Sequence, residues 1–154
     1  MNRRQLLAAE VYGYSYANYW DHLEVRNERF TKLMPQDVDT LERADREGWD
    51  AARLAKALDT DEAEAEVARR AYGEAREIVD APTPAESFRR GVRISVQRAL
   101  EEGLDDPAKI EALVTQVCYR AADLAYLLDQ QGETLSDYSE ELRREPAVED
   151  LDPE

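Results

Sequence analysis

The chain has 154 residues, enough for one domain with a hydrophobic core, and its formal charge is −15, from 35 acidic side chains against 20 basic ones. A surface so negative repels phosphate groups and anionic lipids, so we expect no membrane partner and disfavour nucleic acid as a partner. The single cysteine excludes an internal disulfide, and no apolar window approaches the roughly 18 residues of a membrane span. We therefore expect a soluble cytoplasmic protein.

Apolar periodicity predicts a long first helix from about Arg3 to Lys32. Its apolar and small side chains recur in alternating steps of three and four residues. The positions of the stripe are Leu6, Ala9, Gly13, Tyr16, Trp20, Leu23, Asn27, Phe30 and Met34. Gly13 costs about 1 kcal/mol relative to Ala in a helix interior, so the prediction is weakest there unless another backbone packs closely against it.

Two shorter predicted helices follow Pro35, one from Val38 to Arg46 and one from Trp49 to Leu58. A variant capping box at 61–64 then predicts a helix that continues to about Val79, with an Asp as its N-cap. The segment 80–84 is the clearest linker in the chain, because two prolines in three residues cannot continue a helix.

Thr83-Pro84-Ala85-Glu86 predicts the next helix start, which combines a Thr cap with Pro at the first helical position. Asp106 and Pro107 predict another, whose stripe is the most regular expected core face in the chain. The members of the stripe are Ile110, Leu113, Val114, Val117, Ala121, Leu124 and Leu128. Cys118 lies beside this stripe and is predicted to be a small buried hydrophobic residue.

These elements predict an all-α fold, an irregular helical bundle of about six to seven helices with a long N-terminal helix and no β-sheet. The last predicted helix is a short one within 134–142. Residues 1–146 form either a single helical domain or two subdomains joined near 80–84. Residues 147–154 hold four acidic groups and no base, which predicts a disordered acidic tail.

Few residues are available for enzyme chemistry. His22 is the sole histidine, so any Ser-His-Asp or Cys-His arrangement would need it. The sequence contains neither a zinc-protease spacing nor a Gly-rich phosphate loop. We therefore predict no catalytic residue, no metal site and no cofactor, which favours a non-enzymatic function and leaves an enzyme as an open alternative.

Residues 49–72 resemble helix-turn-helix DNA-binding domains, with a three-residue turn between two helices. The resemblance rests on apolar residues at the expected spacing, namely Leu54, Ala55, Leu58, Ala65 and Ala68. It departs from the family at Asp59, where Gly is usual, and in 61–66, which contains four acids and no base. Those carboxylates would face the phosphates of DNA and be repelled by them. The alternative function is therefore a helix-turn-helix-like regulator that acts on DNA directly or through a basic partner. An ordinary packing hairpin is the structural alternative.

Arg89, Arg90 and Arg93 are candidate contacts for an anion or an acidic partner. They belong to a basic cluster that also contains Arg98, with no acid between Ser87 and Arg98. On a helix only Arg89 and Arg93 are neighbours, so the cluster does not form one patch. Internal ion pairing is the alternative, because the chain holds surplus acid.

Five aromatic side chains crowd nine residues of the predicted first helix, namely Tyr12, Tyr14, Tyr16, Tyr19 and Trp20. They cannot all face one core, and Tyr and Trp are enriched at protein interfaces, so we expect some of them to be exposed. The first 34 residues hold five bases and four acids, which places almost all the negative charge elsewhere. We therefore predict a protein–protein interaction surface centred on these rings, with a homodimer or other homo-oligomer as the expected assembly.

Overall fold

A computed structural model describes residues 2–13, 16 and 36–130, and this part of the chain contains six α-helices and no β-strand. The helices are α1 (Arg3–Tyr12), α2 (Asp37–Glu47), α3 (Ala51–Leu58), α4 (Glu62–Val79), α5 (Pro84–Glu102) and α6 (Pro107–Gln130). The predicted all-α class is confirmed. None of the described helices is both long enough and apolar enough to cross a membrane.

Helix α1 ends at Tyr12, whereas the sequence predicts a helix that continues to Lys32. Gly13 adopts the left-handed conformation, with a φ of 77°, and its amide donates to two carbonyl oxygens of the last turn. Among the described residues, no atom lies within 4 Å of the place where a Gly13 Cβ would be. The described residues therefore supply no close backbone contact that could retain a glycine inside a longer helix, and Gly13 acts as a C-cap.

Several predicted features lie outside the described residues. They are the rest of the predicted first helix with His22, the short helix within 134–142 and the acidic tail 147–154.

Side-chain caps fix the starts of α4, α5 and α6 where the sequence predicts them. Asp61, Thr83 and Asp106 each accept a hydrogen bond from the backbone amide three residues later, at 2.7, 3.1 and 3.0 Å. Such a cap satisfies an amide that has no partner within the helix and contributes about 1 kcal/mol. Pro84 occupies the first position of α5, where its missing N–H costs nothing.

Helix α4 is central to the core and packs against α1, α2, α3 and α5. Small residues on its inner side allow these neighbours to approach closely, and Tyr72 fills the space between them. The buried alanines of α4 are Ala65, Ala68, Ala71 and Ala75. Large side chains of the neighbours complete the core, including Leu7, Leu41 and Leu54.

The turn between α3 and α4 depends on Asp59, whose φ of 54° is the only positive value at a non-glycine residue in the described part of the chain. Glycine adopts this conformation without the steric cost that an L side chain pays. We expect Asp59→Gly to raise the free energy of unfolding by about 0.5–1 kcal/mol, as measured by urea denaturation. Asp59→Ala is the matched control and should not stabilise; a gain from alanine equal to that from glycine would contradict the explanation.

Candidate interaction surface

The structure buries the two rings of the predicted aromatic surface that it describes. Tyr12 and Tyr16 are only 4% and 3% exposed. Because α1 ends at Tyr12, Tyr16 does not continue a helical stripe toward solvent and instead belongs to the buried core cluster that also contains the inner residues of α4. An exposed surface therefore does not include these two residues. Tyr14, Tyr19 and Trp20 lie outside the described residues, and their role at an interface stays a prediction.

Tyr16 belongs to a polar cluster that we call the Arg120 cluster, formed by Glu10, Tyr16, Ser95, Arg120 and Asp123. The Tyr16 hydroxyl donates to Glu10 Oε1 at 2.5 Å, and its backbone amide donates to Asp123 Oδ1 at 2.9 Å. Arg120 donates from Nε to Ser95 Oγ at 2.8 Å and from Nη1 to Glu10 Oε2 at 3.3 Å. Burial first, and then the Glu10 carboxylate, raise the pKa of Tyr16, so the hydroxyl stays protonated and remains a donor.

The Arg120 cluster ties three helices together, because Glu10 lies on α1, Ser95 on α5 and Arg120 on α6. The Glu10 and Arg120 side chains are 10% and 15% exposed, so water screens their ion pair only partly. Gly91 makes room for the guanidinium, since a Cβ there would lie 2.7 Å from Arg120 Nη1. Sequence reasoning missed this cluster, and the glycine inside an otherwise ordinary helix was the one signal of a close approach.

The cavity beside the Arg120 cluster is small. Its volume of about 20 Å³ accommodates one or two water molecules and no organic substrate. Among the described residues, no group of three or more His, Cys, Asp or Glu side chains is arranged to hold a metal ion. The geometry of the cluster therefore suits the positioning of α6 against α1 and α5.

The three arginines that the sequence predicts as anion contacts all form ion pairs with carboxylates of the same chain. Arg89 and Arg90 lie 3.6 and 3.2 Å from Glu86, and Arg93 pairs with Glu77. Arg90 also donates to the Glu77 carbonyl oxygen at 3.0 Å. The alternative of internal ion pairing therefore accounts for these side chains, and an external anion would have to displace carboxylates already in place.

The segment 49–72 forms a hairpin from α3 and the first part of α4. The exposed side of α4 presents Glu62 and Glu66, and Arg70 further along is paired with Glu101 of α5 at 2.7 Å. The other sides of α4 pack against four helices. This placement favours a packing hairpin, and DNA binding by this segment stays a prediction.

The apolar stripe of α6 lies mostly outside the core, contrary to the prediction. Leu124 and Leu128 are buried, whereas Ile110 and Val114 are 49% and 55% exposed. Cys118, predicted to be buried, is also exposed. Among the described helices α5 makes most of the contact with α6, and the second half of α6 also packs against the main core through Tyr126 and Leu127. One neighbouring helix does not enclose so wide an apolar stripe along the first half. The prediction of a continuous core face is wrong for the first half of α6.

We call the exposed first half of the stripe the α6 face, which consists of Ile110, Leu113, Val114, Val117, Cys118 and Ala121. These residues share one side of the helix, and Leu113 and Val117 are half-buried while the others are exposed. In the sequence Lys109 and Glu111 flank Ile110, and Arg120 turns inward to Ser95 and Glu10. The α6 face is therefore apolar and carries no charge of its own.

These features define an all-helical protein with a core around α4, an internal polar cluster and an uncharged apolar face on its last described helix. Comparisons with protein families, with curated proteins and with solved structures find no match to this chain. The exposed α6 face is consequently the best guide to its function.

Proposed function

We propose that this protein is a non-enzymatic interaction module that self-associates through the α6 face. The supporting observation is the exposure of Ile110 and Val114 on a stripe whose continuation enters the core. Apolar surface gains about 25 cal/mol for each Å² removed from water. Contiguous exposed apolar patches are accordingly typical of surfaces that bind another protein.

A second copy of the chain is the partner that fits this face best. Two molecules of charge −15 repel each other unless the surfaces that meet carry little charge. Helix α6 satisfies this condition, with five charged side chains in 24 residues and a net charge of −1. A symmetric dimer places one patch against itself, and an uncharged apolar patch is compatible with its own copy.

Substitution of Val114 by glutamate tests the proposal. We expect Val114→Glu to raise the dissociation constant of the dimer by at least about 100-fold, because each interface would contain two uncompensated carboxylates. Mass in solution, measured by sedimentation over a range of concentrations, gives the dissociation constant. Circular dichroism checks that the variant keeps its helices.

Val67→Glu is the matched control, since Val67 is 50% exposed on α4 and receives the same charge. We expect it to associate as the unmodified protein does. A chain that is monomeric at every concentration, or a Val114→Glu variant that dimerises normally, would contradict the proposal.

The second candidate is a helix-turn-helix regulator, favoured by one observation. Asp59 adopts the left-handed conformation at the turn position where the DNA-binding domains usually carry Gly. Glu62 and Glu66 on the exposed side of α4 weigh against direct contact with DNA. If the purified protein binds duplex DNA and the binding is lost at high salt, this candidate is supported over self-association alone.

A further inference from the structure

We infer that the two copies pack their α6 faces antiparallel, with the two-fold axis passing midway between the two helices at the level between Val114 and Val117. The inference rests on the proposed self-association and specifies how the partner copy lies on that face.

The acidic turn before α6 opposes the parallel arrangement. Glu101, Glu102, Asp105 and Asp106 are all exposed within six residues. Arg70 pairs with Glu101 and Lys109 pairs with Asp105, so these four carboxylates and their two basic partners carry a net charge of −2. A parallel pair would bring the two acidic stretches side by side, each with this net charge of the same sign. An antiparallel pair about this axis separates the two copies of Asp106 by roughly 29 Å along the helices, far beyond the Debye length of about 8 Å at physiological salt.

Residues 125–129 of the partner helix then lie opposite residues 102–106, and the partner's Asp129 is the one carboxylate that these five residues contribute. Helix dipoles act in the same direction. The positive N-terminal end of one α6 approaches the negative C-terminal half of the other, whereas parallel helices would align their dipoles unfavourably.

The sizes of the side chains also match in the antiparallel arrangement. The α6 face extends from Ile110 to Ala121, about 16 Å along the helix, and its midpoint lies between residues 115 and 116. A two-fold axis at the midpoint pairs Ile110 with the partner's Ala121, a large side chain with a small one. It also pairs Leu113 with the partner's Cys118. Alternation of large and small side chains across an interface favours close packing, while a parallel pair would place Ile110 against Ile110 and Ala121 against Ala121.

Disulfide formation by single-cysteine variants distinguishes the two arrangements. In a Cys118→Ala background, cysteine replaces Ile110, Val114 or Ala121 one at a time. In the antiparallel pair the two copies of position 114 are offset by about 5 Å along the axis, and the copies of 110 and of 121 by about 16 Å. A disulfide requires Cα atoms within about 7 Å. We therefore expect Val114→Cys to cross-link at least about tenfold faster than Ile110→Cys or Ala121→Cys.

A mixture of Ile110→Cys and Ala121→Cys completes the test, because these positions face each other across the antiparallel interface. We expect the mixed disulfide to form while each variant alone stays uncrosslinked. The mass of every variant in solution is measured under reducing conditions, which shows whether the variant still associates. If Ile110→Cys weakens association, Ala121→Cys on its own still tests the arrangement. Rapid cross-linking of Ile110→Cys or Ala121→Cys with itself in a dimer would overturn the antiparallel arrangement and leave self-association standing. A monomer in the unmodified protein would instead overturn the proposed function.

Discussion

Arg120→Ala is expected to lower the free energy of unfolding by about 3 kcal/mol. The Arg120 guanidinium binds Ser95 and Glu10, and its removal leaves the Glu10 carboxylate in a site where only 10% of the side chain is exposed. Loss of one partner of a largely buried ion pair is more damaging than loss of the pair, because the remaining charge loses its counter-charge, which the neutral Tyr16 hydroxyl does not replace. Urea denaturation followed by circular dichroism measures the change.

Two variants establish that burial causes this loss. Arg4 and Asp39 form an exposed pair at 2.8 Å, so Arg4→Ala should cost less than about 1 kcal/mol. Addition of Glu10→Gln to Arg120→Ala should restore part of the stability, since a neutral amide replaces the uncompensated charge. A double variant no more stable than Arg120→Ala itself would contradict the role of the buried Glu10 charge.

The sequence predicts the helix starts well because capping is a local interaction. Asp61, Thr83 and Asp106 each act on an amide three residues away, so the cap and its target lie within one short stretch of sequence. Gly13 shows the limit of the same reasoning. An apolar stripe passes through it, and whether a glycine continues or ends a helix depends on what packs against it, which neighbouring residues do not reveal.

The candidate site was beyond sequence reasoning for two physical reasons. Periodicity shows that α6 has an apolar side, and it does not show whether this chain or another covers that side. The same stripe therefore contains buried Leu128 and exposed Val114 with no change of pattern. The Arg120 cluster joins residues 110 positions apart, Glu10 and Arg120, so its members share no local spacing.

Gly91→Ala is expected to lower the free energy of unfolding by about 1–3 kcal/mol, although alanine normally stabilises a helix interior relative to glycine. The new Cβ would lie 2.7 Å from Arg120 Nη1 and 3.1 Å from its Cδ. The guanidinium cannot move aside freely, because Ser95 and Glu10 hold it on either side. The substitution therefore breaks hydrogen bonds of the Arg120 cluster, and urea denaturation should show the loss.

The same substitution should change sign once Arg120 is removed. In an Arg120→Ala background, Gly91→Ala meets no guanidinium and should stabilise the protein by about 0.5–1 kcal/mol through its helix propensity. Gly73 of α4 is the matched control, since none of the described residues packs within 4 Å of the place that a Cβ would occupy there, and Gly73→Ala should stabilise in either background. If Gly91→Ala and Gly73→Ala affect the unmodified protein alike, Gly91 is not the residue that admits Arg120 between α5 and α6.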